Sequence, residues 1–231
     1  INNDDDAARC LAEATLADKW RVSLVTDALD AGVRAGEFFL QVHGATRMIC
    51  PTSDLALRGR HHLTNALVAA MIAGIAGAGT EAIAAGIRSY APPEHHMEIV
   101  AEIGGVQLIN DSKASNPDAS LADLSAMERP FVAIVGGKDK GADFAALGEL
   151  LRSRPRAVIL IGEAADRIED AMGGGAERAK TLEQAVRRGH ELSEPGGAVI
   201  LAPACSSFDM FRNYEHRGEV FREAAAGLRE E

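Results

Sequence analysis

The second half of the chain alternates short, continuously apolar segments with segments of helical periodicity. Residues 131–135, 157–161 and 198–202 contain only apolar side chains, and each segment is followed by glycine or proline. Between them, apolar residues recur three and four positions apart, which is typical of amphipathic helices. Strands that are apolar on both sides form parallel sheets covered by helices on both faces. The pattern therefore predicts an α/β fold, a Rossmann-like domain with a mostly parallel sheet.

Further signals complete this predicted domain. Residues 99–103 and 106–109 flank Gly104-Gly105, which predicts a hairpin. Asn116 followed by Pro117 predicts a helix start, because asparagine caps a helix and proline fits its first turn. The remaining predicted helices lie near residues 144–151, 163–172, 182–191 and 215–228.

The first part of the chain predicts a mixture of elements that ends at two prolines. The predicted elements are a helix after residues 4–6 with Ala8, Leu11, Ala12 and Leu16 as its apolar face, a strand at 20–26, a hairpin of 38–42 and 46–50, a helix from about Thr64, and a helix from Thr80 to about Ser89. Pro92-Pro93 then breaks the chain. We predict a domain boundary there, with residues 1–93 forming an incomplete α/β domain and residues 94–231 the Rossmann-like one.

Composition limits the classes of function. The 231 residues are 47% apolar and 25% charged, which is ordinary for a globular protein. With 24 Lys and Arg against 34 Asp and Glu, the net charge of -10 argues against sequence-independent nucleic-acid binding. The longest apolar run, residues 66–78, is too short to span a bilayer, so no membrane insertion is predicted. Three widely spaced cysteines indicate a reducing compartment, and we expect a cytoplasmic protein.

The first residues do not read like a natural N-terminus. The chain begins at Ile1 without an initiating Met, and residues 1–6 resemble the end of a buried strand that runs into a helix. Natural N-termini are more often polar and mobile. We therefore expect the sequence to be a piece of a longer protein.

Polar residues with anion-binding chemistry follow three of the predicted strands. They lie in residues 110–116, 136–141 and 203–208. In open parallel sheets, ligands bind outside the carboxyl ends of the strands, and helix N-termini there attract anions. Lys113 and Lys140 add positive charges, while Ser115 and Ser207 add hydroxyl donors. The segments predict a site for an anionic ligand with more than one carboxylate.

Several polar residues, in these segments and elsewhere, also have a purely structural interpretation. Lys140 could be a solvated loop lysine, and Asn65 a helix cap. Asp111 could form a turn, and Ser206 or Asp209 could cap the turn that follows. Cys205 is better explained as a small buried side chain than as a nucleophile, because no histidine partner is recognisable nearby.

Several well-known motifs are absent or incomplete. No Walker A string occurs, and the third glycine of a dinucleotide fingerprint is missing after Gly77-Ala78-Gly79. His96-Met97-Glu98 matches the first half of a zinc deaminase signature, but no Pro-Cys-x-x-Cys string follows. The adjacent pairs His61-His62 and His95-His96 cannot both face one metal from a helix. No metal site is predicted in the chain.

Five longer strings occur in order along the chain. They are GRHHLTNAL at residues 59–67, HHME at 95–98, NDSKASN at 110–116, GGKDKGADF at 136–144 and PACSSFDMFRNYEHRG at 203–218. Together they resemble the Mur ligase superfamily. The last two strings are most similar to the branch that adds D-glutamate to UDP-N-acetylmuramoyl-L-alanine.

The resemblance implies a fold, an activity and cofactors. Members have an N-terminal domain for the UDP sugar, a central domain with the ATP phosphate loop, and a Rossmann-like C-terminal domain. Residues 1–93 would be the end of the central ATP-binding domain, and residues 94–231 the amino-acid-binding domain. The implied reaction is ATP-dependent amide formation through an acyl phosphate in peptidoglycan precursor synthesis, with ATP and Mg²⁺ as cofactors. The phosphate loop, the magnesium ligands and the modified lysine would precede this chain, so we expect it to be inactive alone and the full-length protein to be monomeric.

The resemblance also implies roles for individual residues, none of them catalytic. On the nucleotide side they are Asn65 at the adenine, Asp111 at the ribose, and Lys113 and His96 at the phosphates. On the D-glutamate side they are Ser115 and Lys140 for one carboxylate and Ser207, Phe208 and Tyr214 for the other. The superfamily commonly has Arg where this chain has His96, and neutral histidine binds phosphate less well than arginine does. His62 stands where Asn is frequent.

Two alternatives remain open from the sequence. One is a ligand-binding module without catalysis, which would sense D-glutamate or a nucleotide. The other is a sister ligase that attaches a different amino acid or extends folate with glutamate. A longer upstream reading frame with a phosphate-loop sequence would favour the ligase over the module. Titration with different amino acids would identify a sister ligase.

Overall fold

The computed structural model describes residues 1–26, 29–57 and 59–228. The chain divides into two compact units, Ile1–Ala91 and Pro92–Glu231, just before the boundary predicted at residue 93. Residues 27, 28, 58 and 229–231 fall within the two predicted domains and lie outside the described residues.

The first unit contains a three-stranded antiparallel sheet in the order β1-β2-β3. Its elements are α1 (Asp6–Glu13), β1 (Ala31–Arg34), β2 (Glu37–Val42), β3 (Ala45–Pro51), a 3-10 turn (Thr52–Asp54), α2 (Arg60–Ile75) and α3 (Thr80–Ser89). The predicted hairpin is confirmed, since His43 and Gly44 connect β2 to β3 with φ of 51° and 75°. The core forms where α2 packs on β2, with Leu40 and Leu67 fully buried.

Of two predictions for the start of the chain, one is confirmed in part and one is wrong. Helix α1 is present and capped by Asp5, but it ends at Glu13, so Leu16 of the predicted apolar face lies outside it. None of its residues is buried, and Leu11 is 75% exposed. Residues 20–26 do not form a strand. Val22 makes only isolated bridges to Asn2 and Ala31, because the Ser23 hydroxyl accepts hydrogen bonds from the next backbone N–H groups and turns the chain.

Helix α2 begins earlier than its apolar pattern predicts. It starts at Arg60 after Gly59, whereas the prediction placed its start near Thr64. The first turn is rich in polar side chains, although His62 is buried. Asn65 is consequently the sixth residue of α2 and exposed, so its interpretation as a helix cap is wrong.

The second unit is the predicted α/β domain, and its sheet is mixed but mostly parallel. Its elements are β4 (Glu98–Ile103), β5 (Val106–Asn110), α4 (Pro117–Ser125), β6 (Phe131–Gly136), α5 (Ala145–Ser153), β7 (Ala157–Ile161), α6 (Ala165–Met172), β8 (Glu177–Arg178), α7 (Leu182–Glu191), β9 (Ala198–Leu201) and α8 (Tyr214–Gly227). The strand order is β4-β5-β9-β6-β7-β8. Only β4 and β5 pair in antiparallel fashion, as the predicted hairpin requires, and the other pairs are parallel.

Both faces of this sheet are covered, which explains the continuous apolar strands. All six residues of β6 are buried, and alternate residues point into two different core clusters. Ala133 and Val135 pack in one cluster with Leu124 of α4, while Ile134 packs in the other with Phe221 of α8. The fold-class prediction is confirmed for this unit.

Candidate functional site

Three loops follow three neighbouring parallel strands of the second unit. Strand β9 lies between β5 and β6 and runs parallel to both. The loops that follow β5, β6 and β9 therefore begin at one edge of the sheet, which is where ligands bind in such folds. The three polar segments predicted to share this edge do share it.

Backbone hydrogen bonds join these loops to each other. The N–H of Ala204, after β9, donates to the carbonyl of Ala114, after β5, at 3.0 Å. The N–H of Lys138, after β6, donates to the carbonyl of Ser206 at 2.8 Å. The hydroxyl of Ser206 donates back to the Lys138 carbonyl at 3.3 Å, so Ser206 links two loops and does not cap the turn that follows it. The loop after β9 is thus attached on both sides.

A fully buried arginine on α8 holds two of these loops, the one after β5 and the one after β9. Arg217 Nε donates to Ser112 Oγ at 2.9 Å, and Nη1 donates to the Cys205 carbonyl at 3.0 Å. Nη2 donates to the Ser112 carbonyl at 2.8 Å and to Ser115 Oγ at 3.3 Å. Burial lowers the pKa of Arg217 to about 10, so the guanidinium is charged at neutral pH.

Sequence reasoning assigned no role to Arg217, although a signal was present. Arg217 lies four residues before Phe221 and eight before Ala225, and all three side chains are buried on one face of α8. A charged residue on an apolar helix face is buried only when it finds partners. That spacing could have identified Arg217 as an internal cation.

A second polar cluster lies where β4 begins and β5 ends. Asp111 is fully buried, and its Oδ1 lies 3.1 Å from His96 Nδ1 and accepts from the Met97 N–H at 3.2 Å. One side-chain N or O atom from each of His96, Asp111 and buried Asp123 lies within 4.8 Å of the others. His95 and Met97 have φ of 63° and 49°, so two left-handed residues flank His96. These are residue types that can ligate a metal, and they equally suit a shared proton.

Proton affinities in this cluster are shifted by burial and by mutual contact. Burial raises the pKa of Asp111 to about 7, the hydrogen bond with His96 opposes that rise, and the charge of Asp123 adds to it. The hydrogen bond to Asp111 raises the pKa of His96 above its ordinary value, while burial acts in the opposite direction. Near neutral pH the folded cluster therefore retains a proton that the unfolded chain releases.

Because of this retained proton, we expect the free energy of unfolding to depend on pH, and we expect Asp111→Asn to weaken that dependence. A carboxyl whose pKa is raised from 3.8 to about 7 in the folded state favours folding at low pH, and that contribution is lost as the pH rises towards 7. We expect the excess stability of the wild type over Asp111→Asn to fall between pH 4 and 7, by at most about 1.4 kcal/mol per pH unit. Urea unfolding at several pH values measures this difference, and a constant difference contradicts the prediction.

The predicted site residues differ in their exposure to solvent. Lys113 and Lys140 are exposed, Ser207 is buried, and Phe208 is 63% exposed. Tyr214 is the first residue of α8, and its carbonyl accepts from the Ser112 hydroxyl at 2.8 Å. Asn65 belongs to the first unit, where α2 presents it on the surface. The role of each residue stays a prediction.

The loop that carries Lys140 is fixed by its neighbour. Asp139 Oδ1 accepts from the N–H groups of Gly141 at 2.9 Å and Ala142 at 3.2 Å. The other oxygen of Asp139 forms an ion pair with Arg167 of α6, whose Nη2 also donates to the Ala142 carbonyl. Lys140 therefore projects from a held turn, with its own side chain exposed.

Cys205 and Asp209 have structural roles in the loop after β9. Burial raises the pKa of Cys205 to about 12, which confirms the interpretation as a small buried side chain, because a neutral thiol is a poor nucleophile. Asp209 Oδ2 accepts from the Glu163 N–H at 2.9 Å. Asp209 thus contacts the turn before α6, and the expectation that it caps the following turn is wrong.

Among the described residues, no helix has both the length and the apolar character needed to cross a bilayer.

Curated relatives match the chain over most of its length. A UDP-N-acetylmuramoylalanine--D-glutamate ligase from Salinibacter ruber (strain DSM 13855 / M31) is 39% identical over 229 residues, which are 96% of this chain and 50% of the relative. A protein of the same name from Solibacter usitatus (strain Ellin6076) is 45% identical over 184 residues, which are 79% of this chain and 42% of the relative. The chain spans about half the length of the curated relatives it matches.

Solved structures share the fold at low sequence identity. MurF from Acinetobacter baumannii matches with a TM-score of 0.66 and 15% identity, over 98% of this chain and 50% of that chain. The UDP-N-acetylmuramate-alanine ligase MurC from Thermotoga maritima gives 0.65 and 11%, over 91% and 48%. The family description "Mur ligase, glutamate ligase domain" matches residues 95–205. With the curated relatives, this match shows that the chain belongs to the Mur ligase family.

Proposed function

We propose that the protein containing this chain uses ATP to join D-glutamate to UDP-N-acetylmuramoyl-L-alanine. The support is the activity of the curated relatives, UDP-N-acetylmuramoylalanine--D-glutamate ligases that are 36–45% identical to the chain and about twice as long. In this reaction the muramoyl-alanine carboxylate takes a phosphoryl group from ATP and becomes an acyl phosphate. The D-glutamate amine then attacks the carbonyl carbon, and inorganic phosphate leaves as the amide forms. The product is a peptidoglycan precursor, and we place the reaction in the cytoplasm.

The second unit of this chain would hold D-glutamate. The observation that carries this proposal is the junction of three strand-end loops, which brings donors from β5, β6 and β9 to one edge. In the proposal, Ser115 and the Lys140 cation bind one carboxylate. Ser207 and Phe208 bind the other, partly through backbone N–H groups, with Tyr214 beside them. A dicarboxylate needs donors at both ends, and separate loops supply them.

The nucleotide is the second ligand in this proposal. Lys113 follows the buried Ser112 and its side chain is exposed, so its charge is available to phosphate. His96 carries a raised pKa because of Asp111, which makes the imidazole a better partner for an anion than an ordinary histidine. The Asp111 carboxylate is itself buried against His96 and Met97, and a ribose contact stays a prediction, as does an adenine contact for Asn65. ATP supplies the phosphoryl group, and the Mg²⁺ ligands are expected outside this chain.

Binding of D-glutamate by the chain tests the proposal through Lys140→Ala. We expect this change to weaken binding by about tenfold to a hundredfold, because a charged hydrogen bond contributes about 1.5–3 kcal/mol. The measurement is calorimetric titration, or ligand-observed NMR where binding is weak. Lys180→Ala is the matched control, since Lys180 is exposed at the far end of the sheet, after β8.

The same titration separates the proposal from a sister ligase. Preference for D-glutamate over L-glutamate and meso-diaminopimelate supports the proposed ligase. Preference for another amino acid indicates a sister ligase. Equal binding by the wild type and Lys140→Ala contradicts the role assigned to Lys140.

A further inference from the structure

The hydrogen bonds of Arg217 determine which way neighbouring hydroxyl groups can donate. A guanidinium has only donors, so every group that it contacts must act as an acceptor. Ser112 Oγ accepts from Arg217 Nε at 2.9 Å and donates its own proton to the Tyr214 carbonyl at 2.8 Å. The proton of the Ser112 hydroxyl is therefore donated to a group inside the protein.

The hydroxyl of Ser115 is in a different situation. Its oxygen accepts from Arg217 Nη2 at 3.3 Å, so its proton must be directed elsewhere. Within the described part of the chain, the recorded acceptor for that proton is the Ser112 carbonyl at 3.5 Å. That carbonyl already accepts from Arg217 Nη2 at 2.8 Å, and 3.5 Å is too long for a strong O–H···O bond. A carboxylate oxygen at ordinary distance would be a better acceptor.

The positive charge of Arg217 adds to this arrangement. Among its recorded hydrogen-bond partners in the described residues, none is a carboxylate; all are serine hydroxyls and backbone carbonyls. A buried charge acts over a longer range than an exposed one, because little water screens it. The charge polarises the hydroxyl of Ser115 and favours an anion at the same edge of the sheet.

We propose that Arg217 is the positioning residue of the amino-acid site: it donates to Ser115 Oγ, so that the Ser115 hydroxyl must donate to a carboxylate of the ligand. Arg217 does not touch the ligand in this proposal. It also holds the carbonyl of Cys205 and thereby the loop that carries Ser207 and Phe208. The inference rests on the proposed function, because it takes the ligand to be D-glutamate.

A double-mutant cycle on the whole chain tests the proposal, with D-glutamate affinity as the measurement. Ser115→Ala and Arg217→Lys are each expected to weaken binding by about tenfold. Lysine keeps the charge but lacks the planar fork that reaches two loops at once. The double variant is expected to bind within about twofold of the weaker single variant, because both changes remove the same interaction. Multiplied losses, or unchanged binding by Arg217→Lys, overturn the proposal.

Arg222→Lys provides the matched control on the same helix. Arg222 is half-exposed and, within the described residues, its recorded hydrogen bonds go to Glu98 of β4 at 2.9 and 3.2 Å and to none of the three loops, so its change is expected to leave binding as in the wild type. Thermal unfolding of each variant reports whether the fold is retained. A weakened Arg217→Lys with a normal unfolding temperature shows an effect beyond structural support.

A second series keeps the proposal testable if Arg217→Lys does not fold. Ser115→Thr preserves the hydroxyl and is expected to bind within about threefold of the wild type, whereas Ser115→Cys, a weak donor and acceptor, is expected to lose as much as Ser115→Ala. Equal binding by Ser115→Ala and wild type overturns this inference and the Ser115 contact of the proposed site, but it does not contradict the proposed reaction. Absence of D-glutamate binding by the wild type contradicts the proposed function and the inference together.

Discussion

Gly136→Ala is expected to reduce the free energy of unfolding of the second unit by about 3 kcal/mol or more. Gly136 ends β6 with φ of 124°, a backbone conformation that residues with a side chain rarely adopt. A Cβ atom there would lie 2.0 Å from the Ile161 carbonyl oxygen of β7. Because that oxygen is part of the backbone, it cannot rotate away, and the neighbouring strands β6 and β7 would have to separate. Urea denaturation measures the loss.

Gly173→Ala is the matched control for this change. Gly173 ends α6 with φ of 80°, and nothing lies within 4 Å of the position that its Cβ would occupy. Alanine there carries the backbone penalty without the collision, and we expect a loss of only about 1 kcal/mol. Equal losses at the two positions would show that crowding at Gly136 has no part in the effect.

Asn110→Asp is the second change expected to have a large effect. Asn110 is fully buried, and its Nδ2 group bonds His95 Nδ1 at 2.9 Å and donates to the Gly218 carbonyl at 3.2 Å. Its Oδ1 accepts from the Ser112 N–H at 3.2 Å. Aspartate has nearly the same shape but lacks both donors, and it places a carboxyl oxygen opposite a carbonyl. We expect a loss of about 3 kcal/mol or more at pH 7, because buried partners are left unsatisfied and a charge is buried.

Asn116→Asp makes the same chemical change at an exposed position. Asn116 caps α4, where its Oδ1 accepts from the Ala119 N–H at 2.9 Å. Aspartate caps a helix as well as asparagine does, and its charge suits the helix N-terminus, so we expect almost no loss. Measurement of both variants by urea denaturation separates the cost of burying a charge from the cost of adding one. A small loss at Asn110 would mean that its amide donors contribute little.

The sheet of the second unit could be predicted because its strands carry a strong signal. Strands β6, β7 and β9 are buried on both faces, so almost every residue in them is apolar and the run stands out from its neighbours. The Gly104-Gly105 turn likewise fixes the β4–β5 hairpin through backbone conformation alone. In both cases local residues are sufficient to specify the structure.

Elements that depend on distant partners were missed. Strand β8 consists of two residues, Glu177 and Arg178, and both are exposed. It is a strand because it pairs with β7. Strand β1 was missed for another reason, because its partner is local: Ala35 and Gly36, with φ of 51° and 82°, join it to β2 in a tight hairpin. Ala-Gly is a weaker turn signal than Asn-Gly or Asp-Gly. The apolar spacing of α1 suggested a buried face, yet no residue of α1 is buried among the described residues. Periodicity shows that a face could be buried, but it does not supply the surface that covers it.

The candidate site shows the same division. The loops could be located from the sequence because polar residues follow apolar strands, and the sheet topology brings those strand ends together. The groups beneath the loops were not found. Arg217 and Asp123 lie on helices, where a charged residue usually faces solvent, and the packing of α8 and α4 shows that they are internal.

The fastening of the three loops, by Arg217 and by backbone hydrogen bonds, has a thermodynamic consequence for ligand association. A ligand that enters disordered loops must also order them, and that loss of conformational entropy subtracts from the affinity. Here the guanidinium and the backbone contacts of Ala204 and Lys138 hold the loops in place without a ligand. A small dicarboxylate would meet a preorganised surface, so most of its interaction energy would remain available as affinity.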